Sequence, residues 1–156
     1  MKFKQLFSAA LVLFAMQGYA QLTISGELNP RGEYRNGYKT LTADGSDAAL
    51  FVSQRTRLNT QFISEDYTFF LSFQDVRVWG DVPQLKTADK NGVAVHEAWV
   101  QVKFSPEFAV KLGREEIIYD VHSIIGNGGW AQQARSHDAA IFKLGNENDN
   151  VDLGIV

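Results

Sequence analysis

Hydrophobic and polar residues alternate along most of this chain. From Leu22 to Arg35 the even positions are Leu22, Ile24, Gly26, Leu28, Pro30, Gly32 and Tyr34, none of them charged. The odd positions are Thr23, Ser25, Glu27, Asn29, Arg31, Glu33 and Arg35, all polar. A period of two belongs to a β-strand with one oily and one wet face. The same period recurs over Phe51–Ile63, Tyr67–Trp79, Ala94–Phe104, Phe108–Ile117 and Asp138–Gly145. Val151, Leu153 and Ile155 begin one more strand.

The connections alternate in length as regularly as the side chains alternate in polarity. Residues 36–50, 80–93 and 118–137 form long connections, whereas 64–66, 105–107 and 146–150 are short. Long outer loops and tight periplasmic turns are the habit of an outer-membrane barrel. Strands of about 10 residues cross the hydrocarbon layer when tilted, and closing the sheet satisfies every backbone group in lipid. The pattern therefore predicts an all-β fold, an antiparallel up-and-down transmembrane β-barrel, with about six complete strands and part of a seventh. Aromatic residues agree: Phe62 and Tyr67 flank one short turn, Phe104 and Phe108 the next, and Tyr34 and Trp79 sit at the opposite ends of their strands. Two such bands border the apolar belt of a barrel.

Two places fit the alternation badly. Pro30 lacks a backbone donor, so its strand must bulge there or leave a partner unpaired. In the third strand, continuing the phase of Phe69, Leu71 and Phe73 sends Asp75 and Arg77 outward. A bulge after Gln74 would turn Val76 and Val78 to lipid instead. The other reading is that the strand has already risen past the oily layer.

The ends and the composition narrow the class. Lys2 and Lys4, an apolar run from Leu6 to Met16, and Gly18-Tyr19-Ala20 make residues 1–20 a secretory signal peptide, with the mature chain starting at Gln21. A barrel portion over residues 21–156 follows it. Without Lys2 and Lys4, 13 basic residues face 18 acidic ones, a net of −5. That balance offers no footprint for nucleic acid. No other apolar run approaches the length of a membrane helix. The exported chain has no cysteine, so no disulfide staples it.

The wet face is where chemistry would lie. Its basic set is Arg31, Arg35, Arg55, Arg57, Lys103, Lys111 and Lys143, with Arg77 if the third strand bulges. Its acids are Glu27, Glu33, Glu97 and Asp152, with Asp75 on the same condition. Basic rings in a narrow aqueous pore select for anions, and arginine matches carboxylates bidentately. The competing reading is that the acids pair with these arginines and only brace the wall.

The segments GELNPRGEYRNGY, FVSQRTRLN, SFQDVRVWGD, LGREEI and GGWAQQARSHDAA resemble successive strands of the alginate export family of outer-membrane porins. The resemblance runs from about Leu22 to Leu144. It implies a large single-chain barrel with an electropositive conduit for anionic polysaccharide or small anions. That role would fall on Arg31, Arg35, Arg55, Arg57 and Arg77, with Glu27, Glu33 and Lys103 beside them. Barrels of the family carry many more strands, so this chain reads as the N-terminal part of one, with the barrel incomplete.

Other signals lead elsewhere or nowhere. HEAWV lacks the second histidine of a zinc-peptidase helix and lies in a strand. Asp44, Asp47 and Asp89 match no calcium loop and suit turns. Glu115 and Glu116, adjacent in a strand, would face opposite ways and make no catalytic pair. No serine sits on a nucleophile elbow. IIGNGGW, from Ile124, either folds into the barrel mouth, where Trp130 and Arg135 narrow the path, or lies outside it.

The resulting expectation is a non-enzymatic outer-membrane channel without metal or cofactor. Its partners would be outer-membrane lipid and an anionic sugar or small-anion cargo. The alternative is a secreted soluble β-sandwich for adhesion or carbohydrate binding.

Overall fold

The computed structural model describes residues 21–37, 40–84, 92–122, 125–146 and 149–156. Residues 1–20, read as the signal peptide, together with Asp89 and Ile124, lie outside the described residues. Seven strands follow one another: β1 (Gln21–Arg35), β2 (Ala49–Ile63), β3 (Tyr67–Val78), β4 (Ala94–Ser105), β5 (Phe108–Glu115), β6 (His137–Gly145) and β7 (Asn150–Ile155). They form one sheet in the order β1-β2-β3-β4-β5-β6-β7, each strand antiparallel to its chain neighbour. The sheet is not closed; β1 and β7 are its edges, as in an incomplete barrel.

Residues opposite one another in a ladder share a face, so the register decides which side chains meet. β1 and β2 pair without a slip from Gln21↔Ile63 to Arg35↔Ala49. That places Glu27 with Arg57, Asn29 with Arg55 and Arg31 with Ser53 on the polar face. Gly26 and Leu58, and Leu28 and Thr56, share the other. On that apolar face Leu22, Ile24 and Leu28 are 60%, 64% and 67% exposed. A two-layer soluble sandwich would bury them. Among the described hydrophobic residues only Ile117 and Ile141 are buried; this sheet has no dry interior of its own.

The first two short turns hold stacked aromatics on the apolar side. The Phe62 and Tyr67 rings lie 5.6 Å apart, and those of Phe104 and Phe108 lie 5.4 Å apart. Pro30 passes opposite Gln54 with no register shift. β1 is an edge strand, where a missing N–H is tolerated.

The third strand departs from the bulge expected after Gln74. β2 and β3 stay in register through Thr56↔Asp75 and Gln54↔Arg77, so Asp75 and Arg77 stand on the apolar face and Val76 and Val78 on the polar one. Arg77 thus faces away from Arg55 and Arg57. The side chains cope locally: Arg77 donates to both Asp75 oxygens, at 2.6 and 2.7 Å. Their cross-strand neighbours Gln54 and Thr56 are polar, and Trp79 Nε1 donates to Gln54 at 3.0 Å. This is the composition of an interface, the level at which the strand leaves the oily layer.

The slip lies one strand later. Ser72 pairs with Glu97 but Phe73 with Val95, leaving His96 as an extra residue in β4. A bulge of this kind turns two consecutive side chains to one side. Farther along, Gly113 sits opposite Trp99 with φ of 131°. A Cβ there would run into the Ala98 carbonyl oxygen and the Trp99 Cα. The bare backbone lets the two strands approach here, and the Trp99 indole stacks on Phe70 at 5.4 Å and carries the Lys111 ammonium 3.9 Å above its ring.

Candidate functional site

The polar face of β1 and β2 is a wall of arginines, each engaged. Glu33 is shared by Arg31, at 2.7 Å, and by Arg35. Glu27 accepts from Arg55 Nε at 2.9 Å and Nη2 at 2.7 Å. Arg57 spends its fork three ways: Nε on Gln74 at 2.7 Å, Nη1 on Glu116 at 3.1 Å, and Nη2 against His96 Nε2 at 2.8 Å. Alternation put Glu27, Glu33, Arg31, Arg35, Arg55 and Arg57 on one face, and the register brings them together there. Lys103 lies on the same face, at the short-turn end of β4, opposite Ala109. It is exposed and has no ion pair among the described residues.

The β4 bulge builds the center of this network. His96, 5% exposed, and Glu97 both turn to the polar face. Glu97 accepts from the Trp99 indole at 3.2 Å and from the Glu116 backbone N–H at 3.0 Å. His96 Nε2 also meets Glu116 Oε1 at 2.7 Å, and Asn127 donates to Glu116 Oε2 at 2.6 Å. Burial pushes the Glu116 pKa up, but the hydrogen bonds of His96 and Asn127 and the charge of Arg57 outweigh it and hold the group at about 2. His96, Glu97 and Glu116 bring ligand-type atoms within 4.8 Å of one another. The Arg57 guanidinium contacts two of the three, His96 and Glu116.

β5 stops at Glu115, two residues short of the expected Ile117, because Glu116 is caught by this network and turns the chain inward. Glu115 and Glu116 consequently lie on the same side, not on opposite faces. Glu115 is buried and pairs with Lys111. The described parts of the connection, residues 116–122 and 125–136, then lie across the polar face as a strap. At one side Tyr119 Oη donates to Asp152 of β7 at 2.8 Å. Burial, followed by the Asp152 hydrogen bond and charge and the Glu115 charge, pushes the Tyr119 phenol up to about 12, so it remains a donor. At the other side Arg31 Nη1 donates to the Trp130 carbonyl. Arg55 Nη1 reaches the Gly129 and Ala131 carbonyls, both at 3.4 Å, and Gln74 donates to the Gln133 carbonyl at 3.0 Å. The carbonyls of Gly129 and Trp130 in this glycine-rich segment thus lie against the polar face.

His96 and Glu116 escaped the sequence reading. A signal for His96 was present: apolar residues fall at odd Val93 and Val95 but at even Ala98, Val100 and Val102. The oily phase slips by one across His96 and Glu97, which marks a bulge. Glu116 carried no such signal, because its partners come from β2, β4 and the strap.

A one-layer antiparallel meander, oily on the side left open and charged on the side its own loop crosses, defines an outer-membrane type of β-barrel protein. A family model described as alginate export matches residues 20–156, and the chain belongs to that family. Membership gives it a role in alginate export by an outer-membrane β-barrel. No curated protein and no solved structure matches the chain.

Proposed function

We propose that this barrel passes anionic solutes, or an anionic alginate-like polysaccharide, passively across the outer membrane of a cell that exports it by its signal peptide. The lumen would be lined by Arg31, Arg35, Arg55 and Arg57, with Glu27, Glu33 and Lys103 among them. One observation carries the reading: Arg31 and Arg55 each keep Nη1 on neutral strap carbonyls while their carboxylate partners occupy the other nitrogens. A charged carboxylate is the stronger acceptor for such a donor, so a passing uronate finds N–H groups that it can take from the strap. The remaining pairs brace the wall, and the two roles coexist on the same side chains.

The test is a reversal potential across a planar lipid bilayer holding the purified protein under a potassium chloride gradient. Preference for chloride is the expected result; preference for potassium would overturn the anionic cargo.

A further inference from the structure

The arginines of β1 and β2 are already engaged by acids and by the strap, whereas the short-turn end of the sheet is built differently. There the polar faces of β4 to β7 form an open recess of about 570 Å³. Gln101, Lys103, Tyr119, Lys143, Asn150 and Asp152 line it, with Glu107 at the turn. Its volume lies in the range of small-molecule sites.

The recess is held in shape from two directions. Asp152 accepts from Lys143 Nζ at 3.1 Å and from the Tyr119 hydroxyl at 2.8 Å. One carboxylate thereby fixes a strand lysine and a tyrosine that the strap delivers from the far end of β5. Lys103 is exposed and without an ion pair among the described residues, which leaves its ammonium for a ligand.

We propose that this recess is a binding subsite for hexuronate units of a carboxylated sugar chain. The Lys103 ammonium takes the carboxylate, Gln101, Asn150 and Asp152 take the hydroxyls, and the Tyr119 ring receives the apolar face of a sugar. The proposal rests on the reading that the barrel passes an anionic sugar, and it names where that cargo is first held. The charge balance favors this class of ligand. Two lysines face Asp152 and Glu107, so a compact dianion such as sulfate meets as much repulsion as attraction. A uronate brings one charge for the lysine and several hydroxyl donors for the acids and amides. Position agrees as well: short turns mark the periplasmic side of such barrels, the side from which exported material arrives.

Isothermal titration of the full-length protein in detergent, with a trimer of mannuronate as probe, tests the site. A neutral trisaccharide and sodium sulfate are the controls. The trimer should bind, with neither control matching it, and Lys103→Ala should weaken it about tenfold, equivalent to about 1.4 kcal/mol. Tyr119→Ala should weaken it at least as much, because the ring and the Asp152 contact are lost together. Absence of trimer binding to the unaltered protein, sulfate binding as tightly as the trimer, or variants that bind the trimer as tightly as the unaltered protein would each overturn the subsite. The outcomes separate from those of the bilayer measurement. Chloride preference with no trimer binding leaves the passage reading standing and removes the subsite. Lys103-dependent binding with potassium preference does the reverse.

Discussion

Arg57 Nη1 lies 3.1 Å from Glu116 Oε1, joining the second strand of the sheet to the first residue of the strap across fifty-nine positions of sequence. Both side chains are 11% exposed. The pair is therefore a structural rivet as well as part of the charged wall. Removing one partner of a buried pair strands the other charge, at a cost of about 3 to 5 kcal/mol. Arg57→Leu should lower the urea midpoint of the detergent-folded protein by an amount of that order. The double variant Arg57→Leu/Glu116→Leu should recover part of the loss, since no charge is then left alone. Equal loss in the single and the double variant would remove the rivet.

The same carboxylate predicts an acid limit. Glu116 titrates at about 2 in the folded chain, against an ordinary value of 4.5. A depressed folded pKa means that its contribution is complete above the unfolded value and disappears as pH falls toward the folded one. Stability should decline between about pH 4.5 and pH 2 in the unaltered protein. Glu116→Gln, with nothing to protonate, should show a flatter profile over that window. Urea midpoints at a series of pH values make the comparison.

Gly113 offers a backbone test. Its φ of 131° and the absence of a Cβ let the Ala98 carbonyl and the Trp99 Cα approach. Gly113→Val adds a branched side chain where a single carbon already collides. Strain of this kind costs about 1 to 3 kcal/mol, and loss of the folded, heat-modifiable band on a gel would report it. Gly32, whose Cβ would meet nothing within 4 Å, is the control; Gly32→Ala should fold normally.

The assignment of the two faces has its own test. Leu58 is 53% exposed on the apolar face, opposite Phe73. An arginine facing lipid near the midplane costs about 2 to 4 kcal/mol, so Leu58→Arg should destabilize the protein folded into vesicles. Gln61→Arg, on the polar face opposite Phe70, should have little effect. Reversal of this order would exchange lipid for lumen.

The strap and the wall can be separated by conductance. Arg55→Ala removes both the Glu27 pair and the donors to Gly129 and Ala131. Single-channel current should rise, or flicker more, as the strap loses its hold, while chloride preference falls. A lower preference with unchanged current would mean that the strap does not restrict the path.

The strands, their up-and-down order, the oily and wet faces and the arginines of β1 and β2 were all legible in the sequence. Each follows from local alternation, turn spacing or residue type, which the chain states within a few positions. The regular alternation of long and short connections made β1 to β7 neighbors in order, and unbroken alternation put Glu27, Arg55 and Arg57 on one side. Where the phase breaks, alternation alone does not say which strand absorbs the slip. The slip across His96 left a trace in the sequence, but only hydrogen-bond register between strands kept β3 unbulged and sent Arg77 to the far face. The strap was beyond local reading for the same reason. Glu116, Tyr119 and Trp130 are held by Arg57, Asp152 and Arg31 on three different strands, and contacts closed over such distances exist only once the sheet has formed to present them.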